Sequence, residues 1–169
     1  MQRVLALWLM IVAFGAKAAV VDLDTRFEKT KAQISGKTID VYIADDEEKR
    51  SRGLMFVEKM PEHTGMLFVF ESAMPLHFWM KNTVIPLAIG YFDPKGILQD
   101  VHEMKVEPAM VTAQATYPSK TSAQFALEMN AGWYRRNRIK VGARLRLLAR
   151  PKSPLLQGSP LISVSRSGQ

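Results

Sequence analysis

Apolar and polar side chains alternate most regularly in Lys37–Ala44, where Ile39, Val41 and Ile43 interleave with Thr38, Asp40 and Tyr42. That period of two is the pattern of a half-buried strand. Gly36 separates this run from Lys31–Ser35, so a hairpin turning at Gly36 is predicted. The rhythm changes at Asp45-Asp46-Glu47-Glu48, with Lys49, Arg50 and Arg52 following and Gly53 closing. Acids first and bases last suit a helix dipole, Asp45 stands at a capping-box spacing from Glu48, and Gly53 suits the stop. A short helix is expected there. Four short apolar runs come next: Gly65–Phe70, Leu76–Met80, Pro86–Phe92 and Ile97–His102. Proline and the Asp93-Pro94-Lys95-Gly96 turn punctuate them. Gln124–Met129 reads as a further strand, Asn130 as the cap of a helix over Ala131–Asn137, and Ala143–Leu148 as a closing strand with Arg144 and Arg146 on its wet face.

Many short strands with two short helices predict a β-rich α+β fold: a small, partly closed barrel-like sheet, antiparallel or mixed. The expected organisation is a leader over 1–19, a charged lead-in over 20–31, one domain over 32–150 and a tail over 151–169. The tail is rich in Pro, Ser and Gly, and is expected to be disordered.

The leader is read from Arg3, the eleven apolar residues Val4–Phe14, and Ala16-Lys17-Ala18. Positive charge, a short apolar stretch and small residues at A-x-A spacing form a secretory signal, cleaved after Ala18 or Ala19. Spanning a bilayer takes about 20 apolar residues, so this run is too short for an anchor. A soluble periplasmic or secreted protein with no transmembrane segment after cleavage is expected. With no cysteine in the chain, its fold must rest on its core without disulfides.

Charge is distributed unevenly. The chain carries a net +7, yet all sixteen acidic residues lie between Asp22 and Glu128, and the last forty-one residues hold nine Lys or Arg and no acid. In an exported protein this favours anionic envelope material, or a merely solvated face, over nucleic acid.

Six segments, taken together, are distinctive: Arg52-Gly-Leu-Met55, Met60-Pro61, Gly65-Met-Leu-Phe-Val-Phe70, Phe78-Trp-Met-Lys-Asn-Thr83, Ile85-Pro-Leu87 and Glu128-Met-Asn-Ala-Gly-Trp133. In this order and spacing the chain resembles the bacterial and archaeal domain of unknown function 192 family, over roughly residues 32–148. The resemblance implies a small β-rich fold and frequent export, and brings no established activity. It also exposes two departures. Ala88 follows the Pro-Leu pair where the family usually has aspartate, and Gly142-Ala143 stands where it usually has Gly-Asp.

Two of these segments suggest a site. In Phe78–Thr83, Phe78 and Met80 share one face of a strand and Trp79 and Lys81 the other. An outward Trp79 with Lys81, Asn82 and Thr83 offers a stacking surface and hydrogen bonds; the alternative is a second apolar layer closed by an ordinary turn. In Glu128–Trp133, Glu128 and Asn130 share a face near a helix start that favours an anion; the alternative is a cap by Asn130 and a packed Trp133. Arg52 would either meet a ligand or form a structural salt bridge with Glu128. The candidate ligand-binding set is therefore Arg52, Trp79, Lys81, Asn82, Thr83, Glu128, Asn130 and Trp133. Met74, His77, Trp79 and Met80 are ligand types that Cu(I) favours, but strand alternation sets Met74 and Met80 opposite His77. Neither a metal-binding spacing nor a nucleophile, P-loop or dinucleotide motif occurs, and no cofactor is expected.

The leading expectation is an exported accessory module binding a small or extended polar or anionic ligand in a groove between these segments. The alternatives are an envelope-acting enzyme of unassigned type, hydrolysis being one option, at the same groove, and an interaction protein whose basic end docks to an anionic surface.

Overall fold

The computed structural model describes residues 22–108 and 115–162; the leader with its cleavage site and residues 163–169 lie outside them. Its first two strands, β1 (Glu28–Ile34) and β2 (Lys37–Ala44), form the expected hairpin. Ser35 and Gly36 both adopt positive φ, 48° and 78°, as a two-residue turn matched to strand twist requires. The helix α1 (Glu47–Arg52) then leads to β3 (Thr64–Met74), which lies parallel to β2. After it come β4 (His77–Trp79), β5 (Leu87–Phe92), β6 (Leu98–Met104), β7 (Thr116–Pro118) and β8 (Ala123–Asn130). A single helical turn, α2 (Trp133–Arg136), and β9 (Leu145–Leu147) complete the sequence of elements.

Seven strands form one mixed sheet in the order β6-β5-β8-β3-β2-β1-β9, and β4 pairs with β7 in a separate ribbon. The sheet curls until its edges approach. Ile97, just before β6, bridges Arg144, just before β9, and backbone bonds join Leu98 to Ala143 and Leu145 to Gly96, each 2.8 Å. This is the partly closed, barrel-like architecture expected from the strand pattern.

Both faces of the sheet are buried, and alternation along each strand divides its side chains between two cores. Ile39, Val41, Ile43, Leu67, Val69 and Leu127 fill the inside of the curl. Tyr42, Ala44, Met66, Phe68, Ile89 and Ala126 point the other way, into a second core closed by Leu54, Val57, Leu76 and Met80 from the α1 and β4 segments.

Several sequence expectations are corrected. The lead-in is part of the domain: β1 begins at Glu28, and Leu23 and Phe27 are buried. The cap of α1 is Asp46, which accepts a bond from Lys49 N, not Asp45. Asn130 does not cap α2; it ends β8, paired with Leu87, and Gly132 in the left-handed region precedes the helix. The strand β7 carries no pattern that sequence reading recognised.

The tail expectation fails over the described part of that segment, residues 151–162. Residues 154–156 form a 3-10 turn, Leu156 and Leu161 are fully buried in the first core, and Leu155 and Ile162 pack against it. Leu147 N donates to Leu161 O, and Ile162 bridges Leu147. Apolar side chains brought onto β9 by long-range packing outweigh the Pro- and Ser-rich composition. Among the described residues no helix is long and apolar enough to cross a membrane.

Candidate functional site: a cavity over the second core

Past Val69 the β3–β8 register shifts before Met74 pairs with Ala123, and Glu71–Met74 are exposed. The chain then reaches β4, which β7 holds off the sheet; Leu76 N donates to Ser119 Oγ, and Ser119 N donates to Leu76 O. On the other side, α1 is fixed by Arg50, whose guanidinium donates to the Asp45 and Val69 carbonyls, each 2.9 Å. Gly53 ends the helix and turns the chain across the Phe68 ring. The following loop is clipped to the turn after β4. Phe56 N donates to Asn82 O at 2.8 Å, and both residues adopt positive φ.

Between these two walls the structure leaves a cavity of about 370 Å³, within the ordinary range for small-ligand sites. Leu54, Phe68, Phe70, Leu76 and Phe78 form its apolar lining, with Phe78 set edge-on to Phe68 at a centroid distance of 4.8 Å. Arg50, Arg52, Lys81 and Glu47 supply charge, and Trp79, His77, Met55 and Met74 line it as well.

Glu128 reaches the cavity from the sheet itself. It sits on β8 between Met66 and Ile89 of the flanking strands, on the face that Ala126 also uses. Its side chain is 4% exposed, and burial alone pushes its carboxyl up to about 8. At neutral pH it is therefore mostly a protonated acid that can donate a hydrogen bond. None of the ion pairs among the described residues involves Glu128, Arg52 or Lys81, so the structural Arg52–Glu128 salt bridge considered from sequence is absent. Arg52 instead lies 5.8 Å over the Phe56 ring, with its Nε buried and lacking a hydrogen-bond partner.

Five of the eight sequence candidates meet here: Arg52, Trp79, Lys81, Thr83 and Glu128. Trp79 is 53% exposed with Lys81 Nζ 5.6 Å above its ring, as alternation along the strand implies. The other three do not line the cavity. The Asn82 side chain donates to Met55 Sδ within the turn, and that of Asn130 donates to the carbonyls of Met60 and Pro61. Trp133 is fully buried in the first core, on the opposite side of the sheet. Its indole donates to His63.

Sequence reading missed Arg50 and the aromatic wall. Alternation along Gly65–Phe70 already set Phe68 and Phe70 on one face, but not what that face would meet. Met74 and His77 do reach the same cavity, whereas Met80 is buried in the second core. The cations around them oppose a metal ion, and among the described residues no three of His, Cys, Asp or Glu converge on one. Ala88 and Ala143, where the family pattern usually has aspartate, both pack in or against the first core, away from the cavity.

Among curated proteins, none is similar to this chain. Several chains of solved structures are, two crystal structures among them. One is a candidate transcription regulator from Sinorhizobium meliloti 1021, 32% identical, with a TM-score of 0.65 over 72% of this chain and 95% of that one. The other is a protein of unknown function from Novosphingobium aromaticivorans, 23% identical, with a TM-score of 0.64 over 71% and 86%, a likeness of fold alone. The model of the domain of unknown function 192 family, described as "Uncharacterized ACR", matches residues 29–147, and the chain belongs to that family.

Proposed function

We propose that this protein is an exported accessory module that binds a small or extended ligand bearing a polar or anionic group in the cavity over the second core. The observation that carries the reading is Glu128. Its carboxyl enters none of the side-chain hydrogen bonds or ion pairs among the described residues and opens onto a cavity walled by aromatic rings, where the polar group of a ligand can meet it. Arg52 lines the same cavity, and its Nε is buried without a hydrogen-bond partner.

Export is supported by Arg3, the apolar run Val4–Phe14 and Ala16-Lys17-Ala18. Expressed with its native N-terminus in a Gram-negative host, the protein should be recovered from the periplasm beginning at Ala19 or Val20. Full-length protein held in the cytosol would contradict this. One relative is described as a candidate transcription regulator; the export proposed here favours a small polar molecule as the partner of the present domain over nucleic acid.

The test is a thermal-shift screen of the mature domain against polar and anionic small molecules, since a ligand of the native state raises the melting temperature. Trp79→Ala should remove the shift. Hits that survive Trp79→Ala, Lys81→Ala and Glu128→Gln alike would place binding elsewhere and defeat the proposal.

The same carboxyl supports a second reading, an envelope-acting enzyme. An acid held near 8 by burial is suited to proton transfer around neutral pH. Turnover of a bound hit separates the two: a binder leaves the molecule unchanged, whereas an enzyme converts it and loses that conversion in Glu128→Gln.

A further inference from the structure

The cavity is polarised between its mouth and its floor. Trp79 and Lys81 are exposed at the mouth, and Arg52 is half-buried beside them. Arg50 is committed to two backbone carbonyls, whereas Arg52 and Lys81 have no ion-pair partner among the described residues. The walls below are Leu54, Phe68, Leu76 and Phe78, and the sheet closes the floor at Glu128. Three cationic side chains, Arg50, Arg52 and Lys81, outnumber the acid Glu47 in the lining, so a cation is disfavoured at the mouth. The floor offers an anion apolar walls and one protonated carboxyl, which replace little of the hydration of a charged head. A wholly hydrophilic molecule would leave the aromatic wall without an apolar partner.

Resting on the binding reading above, we infer that the ligand is an amphipathic anion held in one orientation. Its charged head lies between Arg52 and Lys81, its apolar body lies along Phe68, Leu76 and Phe78, and its inner end reaches Glu128. The head meets the guanidinium of Arg52 and the ammonium of Lys81, and such charge-assisted bonds are the strong ones. The body covers apolar surface that otherwise faces water. At neutral pH the floor repels no anion, because Glu128 is held protonated by burial.

Three probes with one apolar body and different heads test this: octanoate, octanol and octyltrimethylammonium. Each is titrated calorimetrically below its micellar concentration into the mature protein. Octanoate should bind at least about tenfold more tightly than octyltrimethylammonium, with octanol between them. Arg52→Gln combined with Lys81→Gln should bring octanoate down to the level of octanol and leave octanol unchanged. Lys81→Glu alone, at an exposed position, should act in the same direction should the double variant fold poorly. Equal affinity for all three probes, or preference for the ammonium, would overturn the inference. Silence from all three, beside a wholly hydrophilic hit in the screen that Trp79→Ala removes, would overturn it while sparing the binding reading. Silence in both experiments would defeat the two together.

Discussion

The indole nitrogen of Trp133 donates to Nδ1 of His63 at 3.1 Å, across seventy residues of sequence, with the two rings edge to face. Trp133 is fully buried and an indole N–H can only donate, so His63 must present a lone pair at Nδ1 and carry its proton on Nε2. The bond fastens the loop before β3 to the one helical turn that closes the first core. His63→Leu strands the buried donor and should cost about 1–3 kcal/mol. His63→Gln keeps an acceptor and should cost clearly less. Urea unfolding of both variants checks the difference; equal costs would mean that packing, and not the hydrogen bond, holds Trp133.

The C-terminal segment should be essential to stability. Removing everything after Lys152 takes away Leu156 and Leu161, both fully buried. Burying one such side chain contributes about 1.5–3 kcal/mol, so a loss of about 3–6 kcal/mol is expected. Gly96→Ala should injure the same contact without truncation, because a Cβ there would stand 2.3 Å from Leu161 Cδ2 at a φ of +76°. Thermal unfolding measures both. A truncated protein with an unchanged melting temperature would contradict the packing described.

What sequence could foretell follows from the range over which each feature is determined. The β1–β2 hairpin was legible because alternation and a turn residue are local, and each face of β2 does meet its own core. Trp79 and Lys81 were legible for the same reason, as alternation sends Phe78 inward and leaves them out. Trp133 was misassigned because Gly132, at a φ of +72°, redirects the chain to the other side of the sheet. Asn130 looked like a cap because its partners, the carbonyls of Met60 and Pro61, lie some seventy residues earlier. The tail was misread from composition. Glu128, a candidate from sequence, does line the cavity, but its burial depends on α1 and β4 folding over the sheet, which no local pattern encodes.

That burial carries a pH dependence of definite sign. The unfolded chain loses the Glu128 proton near 4.5, whereas the folded protein holds it to about 8. Between these values the folded state binds more protons, so stability falls as pH rises and levels off above 8. The slope from this group reaches at most about 1.4 kcal/mol per pH unit, and the total is of order 5 kcal/mol. Glu128→Gln, which cannot ionise, should lose that slope and gain on the wild type at pH 8. Urea midpoints of the two proteins at pH 5, 6, 7 and 8 report the difference. Lys81→Ala, at an exposed position, should leave stability within about 0.5 kcal/mol at every pH.

The account rests on a neutral carboxyl at the floor of an open cavity, and its titration can be observed directly. Carbon-detected NMR of the mature domain, with Glu128 assigned by comparison with Glu128→Gln, follows the side-chain carboxyl shift from pH 4 to 9. The structure predicts a midpoint near 8 that moves when a cavity ligand is bound. A midpoint at the ordinary value of 4.5, unmoved by ligand, would mean that Glu128 is solvated and charged, and the cavity would lose its floor.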